Sequence, residues 1–434
     1  MSSRDLQSVY GAEANPTGDP IGGGAGYRRV VRRGDVTVAN AGALLAALEA
    51  ARAGQVVYVA SGSETDLVGH VGIAVPAGVT LAGDRGVDGS PGPLLQNRKM
   101  PDRAFLLSAG EGARITGLRI KGSDPDFPDI DYDVKPRSWC GVIRTAGANV
   151  EVDNCELSNV HHSGVSASHP NTHVHHCFIH DVHAYPVCVG GMAQPTLIEA
   201  NLIYWIWHTV AGTGQPGTGY EARYNIAVRQ KPPKSWGERH RTHGWDMHEF
   251  RSAFLATPRR LLAGDRILIH HNTMQNTGPA RSGLIRGVPR DLAQVYNNWF
   301  SESDPGLGVR QVEPKGNVWV YNNVYGPEMK QVPIGEDTTA RILLKRPEPT
   351  GEPARVSGKL ALDFEVSVLE GLQVKRVTAR VDDRELYAGE RAPGPDEVVL
   401  DTRELANGIH ELFIAVEDNR GVTGAQAVTL AVEN

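Results

Sequence analysis

A short motif recurs along the middle of the chain at a nearly constant interval. Each copy carries an amide or imidazole side chain among apolar residues. The marker residues are Asn154, His176, Asn201, Asn225, Asn272, Asn298 and Asn323. They are separated by 22, 25, 24, 47, 26 and 25 residues, so the fourth interval is either an expanded coil or lacks a marker. A period near 24 predicts a solenoid in which the stacked amides form an internal hydrogen-bonded ladder.

A second recurring strand precedes each marker and supplies the interior of the solenoid. Its inward column is predicted to be Val142, Val165, Val187, Val210, Trp245, Leu284 and Val309. Stacked at the roughly 4.8 Å spacing of neighbouring strands, these side chains form one apolar wall. Two strand columns and one recurring turn predict an all-β fold, a right-handed parallel β-helix over residues 35–332, after an extension at 1–34. The run 40–54 predicts an N-terminal capping helix, with Asn40 as N-cap and Gly54 as stop.

The pattern changes after about residue 332. The range 333–349 is rich in proline and predicts a linker with few contacts across it. Short alternating strands over 350–434 predict a C-terminal β-sandwich.

Composition limits the partners of the chain. The net charge of -6 and the pI near 6.2 provide no basic field, so we expect no nucleic acid partner. No stretch approaches the roughly 20 apolar residues of a membrane span, so we expect no membrane insertion. The N-terminus lacks the apolar core of a signal peptide. We expect a secreted or cell-surface protein whose leader is absent from this sequence, with a cytoplasmic location as the alternative. The oligomeric state is left open.

The four cysteines have neither the spacing of a disulfide scaffold nor that of a metal-binding pair. Cys155 and Cys177 fall at equivalent points of consecutive copies of the motif. We therefore expect them to lie one coil apart as free, buried thiols.

Residues from roughly 35 to 330 resemble the pectate-lyase-like superfamily of right-handed parallel β-helices. The capping helix, the phrase 75–83 (Val-Pro-Ala-Gly-Val-Thr-Leu-Ala-Gly) and the Asn-marked coils carry this resemblance. Residues from about 350 onward are similar to bacterial immunoglobulin-like domains of secreted carbohydrate-active proteins, through 407–412 and 417–421. The resemblance implies the fold and a carbohydrate-active protein. The Trp-Ile-Asp-His run of pectate lyases is absent, so no catalytic residue is carried over.

The expanded interval is where we expect the chemistry. Two long excursions flank the strand 245–249, on which period-2 alternation turns Asp246 and His248 outward. An acid and an imidazole two residues apart on a strand converge on one point, so this pair is a candidate for catalysis or for a metal such as calcium. We assign catalytic roles to Asp246, His248, His243 and Arg286, with Asp246 and His248 also as metal ligands.

The cations around this strand suggest an anionic ligand. The predicted substrate-binding residues are Arg144, Arg223, Arg239, Arg241, Glu249 and Trp236. Arg144 and Arg286 are expected in the inward column, so their strands have to bend to turn the guanidinium groups outward. These residues favour a lyase that cleaves a uronic-acid-containing polysaccharide by β-elimination. A glycoside hydrolase on the same scaffold and a non-catalytic polysaccharide-binding protein are the alternatives.

Overall fold

The computed structural model describes residues 9–126, 139–230, 242–250, 261–276, 280–394 and 396–434. Their strands, numbered in chain order, build a parallel β-helix with three strands in each regular coil. Sheet 1 contains β4 (Ile73–Val75), β7 (Phe105–Ala109), β10 (Gly141–Thr145), β13 (Ser163–Ala167), β16 (Tyr185–Val189), β19 (Val210–Gly212), β22 (His243–Met247), β25 (Arg281–Arg286) and β28 (Val309–Val312).

The other two columns lie on either side of the corner that carries the markers. Sheet 2 contains β1 (Val36–Val38), β2 (Val56–Val59), β5 (Thr80–Ala82), β8 (Arg114–Thr116), β11 (Glu151–Asp153), β14 (Thr172–His175), β17 (Thr196–Glu199), β20 (Tyr220–Arg223), β23 (Arg266–His270), β26 (Leu292–Tyr296) and the first part of β29 (Val318–Tyr325). Sheet 3 contains β3 (Glu64–Asp66), β6 (Leu94–Gln96), β9 (Arg119–Lys121), β12 (Glu156–Val160), β15 (Phe178–Val182), β18 (Leu202–Trp205), β21 (Ile226–Arg229), β24 (Thr273–Gln275), β27 (Trp299–Phe300) and the last part of β29. The recurring motif therefore covers two strands and the corner between them, whereas the sequence predicted two strand columns in all.

The predicted amide ladder runs through five coils. Asn201, Asn225, Asn272, Asn298 and Asn323 are at most 1% exposed. Each of the first four donates from its side-chain nitrogen to the side-chain oxygen of the next, at 2.9 to 3.0 Å. Asn225 bonds directly to Asn272, so the 47-residue interval is one expanded coil.

The first two markers have to be corrected. Asn154 and His176 are left-handed corner residues with φ of 52° and 50°, one position before the ladder. The ladder position in their coils is held by Cys155 and Cys177, and the backbone nitrogen of Cys177 donates to Asn201 at 2.9 Å. Both cysteines are buried free thiols.

The inward column of sheet 1 differs from the predicted column at two positions. Val165, Val187, Val210 and Trp245 are in register, but Ile143 takes the place given to Val142. Gly283 takes the place given to Leu284, which lies opposite Asp246 on the outer face.

The strands that carry the two arginines do not bend to turn them outward. Arg144 is in register with the outward Ser166. Arg286 follows Ile285, the register partner of the inward Met247, and so lies on the outer face. Alternation along regular strands is enough to place both guanidinium groups outside.

The N-terminal part of the solenoid has the predicted cap. Helix α1 (Ala41–Ala50) starts at Asn40, whose side chain accepts from the backbone nitrogen of Ala43 at 3.0 Å. Leu44 and Leu48 are buried against the first coils. The helix ends at Ala50, before the predicted stop at Gly54. Among the described residues no helix has the length and apolar character needed to cross a bilayer.

The extension before α1 runs back along the corner between sheets 2 and 3. The backbone nitrogen of Gly11 donates to Asn297 in a late coil, whereas that of Gly24 donates to Asn154 in an early one. Tyr27 donates its hydroxyl to Asp153 at 2.7 Å. Residues 10–29 therefore connect the corners of successive coils.

The C-terminal residues form a second β-rich unit with its own core. β30 (Lys330–Ile334) pairs with β29 at the end of the solenoid. The unit contains β31 (Arg341–Arg346), β32 (Ala354–Val356), β33 (Lys359–Ala361), β34 (Asp363–Ser367), β35 (Val374–Val381), β36 (Arg384–Gly389), β37 (Val399–Asp401), β38 (Gly408–Asp418) and β39 (Thr423–Val432). Its immunoglobulin-like character remains a prediction.

The range 333–349, predicted as a linker, contains β31. Its Ile342 and Leu344 belong to the C-terminal core. The expectation of few contacts across this range was wrong, because Asn317 of the last coil donates to Gln426 of the C-terminal unit at 2.9 Å. The backbone nitrogen of Ile342 also donates to the Asn317 side chain. The C-terminal unit therefore covers the end of the solenoid.

Candidate active site

Strand β22 of the expanded coil is held against its neighbouring strands by two pairs, each made of one large and one small residue. Trp245 lies next to Gly283, where an added Cβ would come within 2.7 Å of the Trp245 carbonyl oxygen. Met247 lies next to Gly212, where a Cβ would come within 2.4 Å of the Met247 sulfur. Trp245 and Met247 are buried, so the interior anchors both ends of a short segment. The residue between them, Asp246, is held on the outer face.

Asp246 is the centre of a cluster of four basic side chains. It is fully buried although it lies on the outer face. One carboxylate oxygen, Oδ1, is 2.9 Å from His243 Nε2, and the other, Oδ2, is 2.7 Å from His248 Nε2. Arg286 donates with Nε to Oδ1 at 3.0 Å and with Nη2 to Oδ2 at 2.9 Å. Three of the four predicted catalytic residues therefore surround the fourth.

The two-pronged contact between Arg286 and Asp246 determines what each of them can do. A forked guanidinium–carboxylate pair is among the strong polar contacts in proteins. Burial alone would raise the pKa of Asp246, but the close contacts with His243 and His248 outweigh it and hold that pKa well below its usual range. Asp246 is therefore an ionised acceptor with both oxygens in use. Arg286 keeps only Nη1 outside the fork, at 4.0 Å from Glu249 Oε2.

His248 is the most accessible histidine of the cluster. Its side chain is 35% exposed, compared with 7% for His243. Because Nε2 faces Asp246, Nδ1 is the nitrogen that faces away from the carboxylate. A histidine held in this way by a carboxylate is oriented for proton transfer at its other nitrogen.

His208 completes the cluster and was not found from the sequence. Its Nδ1 lies 2.8 Å from the carbonyl oxygen of His243 and must donate to it, because a carbonyl only accepts. Burial lowers the pKa of His208 to about 3, so the ring is neutral and Nε2 carries a lone pair. That atom is 3.8 Å from Asp246 Oδ2. The available signal was the Trp207-His208 pair shortly before β19, where the strand register aligns His208 with Tyr185 and Ser163 of the two preceding strands.

Tyr185 borders the cluster and was also missed. Its ring stacks on His208 with 5.6 Å between centroids and 11° between planes, and meets the ring of His248 edge-on at 6.4 Å. Burial, with a smaller contribution from the charge of Asp246, raises the pKa of Tyr185 to about 12. The phenol is therefore a proton donor at neutral pH.

The cluster is a poor match to calcium. One ligand atom from each of His208, Asp246 and His248 can be chosen so that all lie within 4.8 Å of one another. Calcium prefers six to eight oxygen ligands, whereas two of these three donors are nitrogens, which suit zinc better. Arg286 also donates to both oxygens of Asp246, the carboxylate among these three donors.

A second group, Glu151, His173 and His175, lies on sheet 2. Its carboxylate is already paired with Arg29 and Arg114. We therefore assign this group to the stability of the coil corner.

The predicted substrate-binding residues do not form one group. Glu249 is next to the cluster. Arg144 is on the same outer face, four strands away. Arg223 is on sheet 2 and is paired with Glu199 and Glu221, both at 2.7 Å, so the structure does not bring it to the cluster. Trp236, Arg239 and Arg241 lie outside the described residues.

No family model and no curated protein matches the chain. Among solved structures, an alginate lyase from Paenibacillus sp. str. FPU-7 is similar, with 14% identity and a TM-score of 0.35 over 68% of this chain and 98% of that chain. The tailspike protein gp49 from Acinetobacter baumannii bacteriophage Fri1, a capsular polysaccharide depolymerase, is also similar. Its identity is 9% and its TM-score 0.37, over 93% of this chain and 79% of that chain. TM-scores this low support no statement about activity.

Proposed function

We propose that the protein is a polysaccharide lyase that cleaves a uronic-acid-containing polymer by β-elimination. The observation that carries this proposal is the pairing of a partly exposed histidine, oriented by a buried carboxylate, with a protonated tyrosine beside it. β-Elimination needs such a pair, because one group removes a carbon-bound proton and another protonates the leaving oxygen. Polymers of this kind lie outside cells, so the proposal includes a secreted or cell-surface location.

The geometry supports the following roles. His248 takes the proton from the carbon next to the carboxylate of the substrate, and the charge that develops on its ring is stabilised by Asp246 at 2.7 Å. The electron pair of that C–H bond forms the new double bond as the bond to the glycosidic oxygen breaks. The departing oxygen takes the phenolic proton of Tyr185. Exchange with water restores both groups, and no step uses a metal.

The substrate carboxylate has to be neutralised for its neighbouring proton to become acidic. Within the cluster, Nη1 of Arg286 is the cationic edge not bonded to Asp246, and the side chain is 27% exposed. We assign it to the carboxylate of the uronate that is cleaved.

The cluster does not suit a glycoside hydrolase. Hydrolysis requires two carboxyl groups facing the bond, one as acid and the other as base or nucleophile. Asp246 is fully buried, with donors on both oxygens, so it reaches no substrate. Among the residues that the structure describes, Glu249 is the other carboxylate beside the cluster, and one carboxylate cannot serve both roles.

The test is incubation with a panel of acidic and neutral polysaccharides. A lyase produces an unsaturated uronide that absorbs near about 235 nm, a hydrolase produces new reducing ends without it, and a binding protein produces neither. We expect His248→Ala to lower turnover by at least about a hundredfold, as for the loss of a general base. His173→Ala is the matched control, since His173 also faces a carboxylate, Glu199 at 3.3 Å, but on sheet 2. Equal activity of the His248→Ala variant and the wild type would refute the assignment.

A further inference from the structure

The outer face of sheet 1 upstream of the cluster has almost no large side chains. One outward column runs Arg144, Ser166, Cys188, Ala211 and Asp246. A second outward column lies just beyond the strand ends, where hydrogen bonds from backbone nitrogens still link neighbouring coils. It consists of Ala146, Ser168, Gly190, Thr213 and His248. Apart from Arg144, every residue before the cluster is small. Because these side chains are small, the two columns form a low strip along the solenoid axis up to Asp246 and His248, and we call this strip the channel.

One side of this channel is lined with aromatic rings. Phe105, His162, Tyr185 and His208 lie at or just before the starts of β7, β13, β16 and β19, with the glycine Gly141 of β10 between the first two, and neighbouring ring centroids are 5.5 to 5.9 Å apart. Such a continuous edge provides apolar faces along the direction in which an extended polymer lies, and sugar rings pack their apolar faces against aromatic ones.

Arg144 stands at the far end of the channel. It is exposed, and its Nε donates to Ser108 Oγ at 3.3 Å. Within the part of the chain that the structure describes, no carboxylate pairs with it. Four strand spacings of roughly 4.8 Å place it about 19 Å from Asp246 along the axis. A monosaccharide at the cluster does not extend that far, but an oligomer of several sugars does.

Resting on the proposed function, we infer that Arg144 forms a distal subsite for the carboxylate of a uronate several units away from the cleaved bond, in a polymer that lies along this channel. A guanidinium binds a carboxylate with two parallel hydrogen bonds, which selects a charged uronate over a neutral sugar. The protein therefore discriminates by chain length as well as by charge.

The test uses oligouronides of defined length, prepared from alginate and from polygalacturonate. Arg144→Gln should raise KM for long oligomers by roughly fivefold, as expected for one partly solvated ion pair, with kcat unchanged. For the shortest cleaved oligomer KM should not change. Arg144→Lys should restore part of the affinity, because it keeps the charge without the fork. Arg52→Gln, at an exposed arginine beyond helix α1, is the control for the change in net charge.

Binding to the catalytically silent His248→Ala variant, measured by calorimetry, separates this inference from the catalytic proposal. If the wild type cleaves no uronide but long oligouronides bind in an Arg144-dependent way, the catalytic proposal fails and the subsite stands. If uronides are cleaved but Arg144→Gln changes KM equally at all lengths, or at none, the subsite is refuted. Absence of any binding by long oligouronides also refutes it.

Discussion

Replacing Asp246 by Asn tests whether the buried ion pair organises the site. The change keeps the shape of the side chain but leaves Arg286 facing a neutral amide. Breaking a buried pair by removing one partner costs about 3 to 5 kcal/mol. Because the Arg286 side chain remains 27% exposed, we expect the lower end, about 3 kcal/mol. At about 2 °C for each kcal/mol in a chain of this size, the thermal midpoint should fall by roughly 6 °C.

The double variant Asp246→Asn/Arg286→Gln separates the loss of the pair from the burial of an uncompensated charge. It should recover much of the lost stability but none of the activity, because no carboxylate then orients His248. Glu417→Gln, which breaks an exposed pair with Lys375, is the control and should cost at most about 1 kcal/mol. Unfolding followed by calorimetry and by circular dichroism gives both values. A single variant as stable as the wild type, or a double variant less stable than the single, contradicts the reasoning.

The Asp246–Arg286 pair also makes the stability of the folded protein depend on pH. The pKa of Asp246 in the folded protein lies below the value of about 3.9 for an unfolded aspartate, so the ionised carboxylate favours folding. The stability difference between the wild type and Asp246→Asn should therefore be complete above about pH 4 and should shrink as the pH falls further. A difference that instead grows on acidification would show that Asp246 is protonated in the folded protein.

Further predictions follow from the site, the ladder and the C-terminal unit. Tyr185→Phe should lower kcat by about a hundredfold or more while the thermal midpoint is retained, since only the hydroxyl is lost; steady-state kinetics with melting curves test this. Asn272→Ala should destabilise the solenoid by about 2 kcal/mol or more, measured by urea unfolding, because it leaves ladder partners buried and unpaired. A chain ended at Pro349 should unfold at a lower temperature than the full chain, because it loses Gln426, the partner of Asn317 in the last coil, and most of the C-terminal core around Ile342 and Leu344; equal midpoints would contradict this. Thiol titration without reductant should count four groups after denaturation, with Cys155 and Cys177 silent in the folded protein; a count of two would reveal a disulfide.

The repeat could be predicted from the sequence because each coil satisfies the same two demands, an apolar inward column and a polar ladder at the corner. What the spacing could not resolve was which of two adjacent corner positions held the marker. Asparagine suits both the left-handed residue and the ladder residue, and the corner tolerates His176 as well. In the two coils where cysteine holds the ladder position, the marker was therefore assigned one residue too early.

The site could be predicted only in part, for a similar reason. Alternation along β22 gave the side of the sheet on which Asp246 lies, but not what covers it. The cover comes from His208 in the preceding coil and Arg286 in the following one, residues separated from Asp246 by 38 and 40 positions. Arg223 carries the same charge within the same stretch of sequence, yet the corner of its coil turns it onto a different sheet. Charge clustering along the chain therefore identifies the coil but not the face.

The expanded coil explains how one position of a repetitive fold can acquire chemistry. Asn225 hydrogen-bonds directly to Asn272, so the ladder continues as if this interval of 47 positions were an ordinary coil. The additional residues precede and follow β22 in the sequence, and Trp245 and Met247 keep that strand in register with β19 and β25. A buried charge needs partners fixed to within fractions of an ångström, and a strand packed on both faces supplies that rigidity. The interior of the expanded coil is packed as in its neighbours. The outer face can therefore carry an ion pair and three histidines, where neighbouring coils have small residues, without disturbing the solenoid.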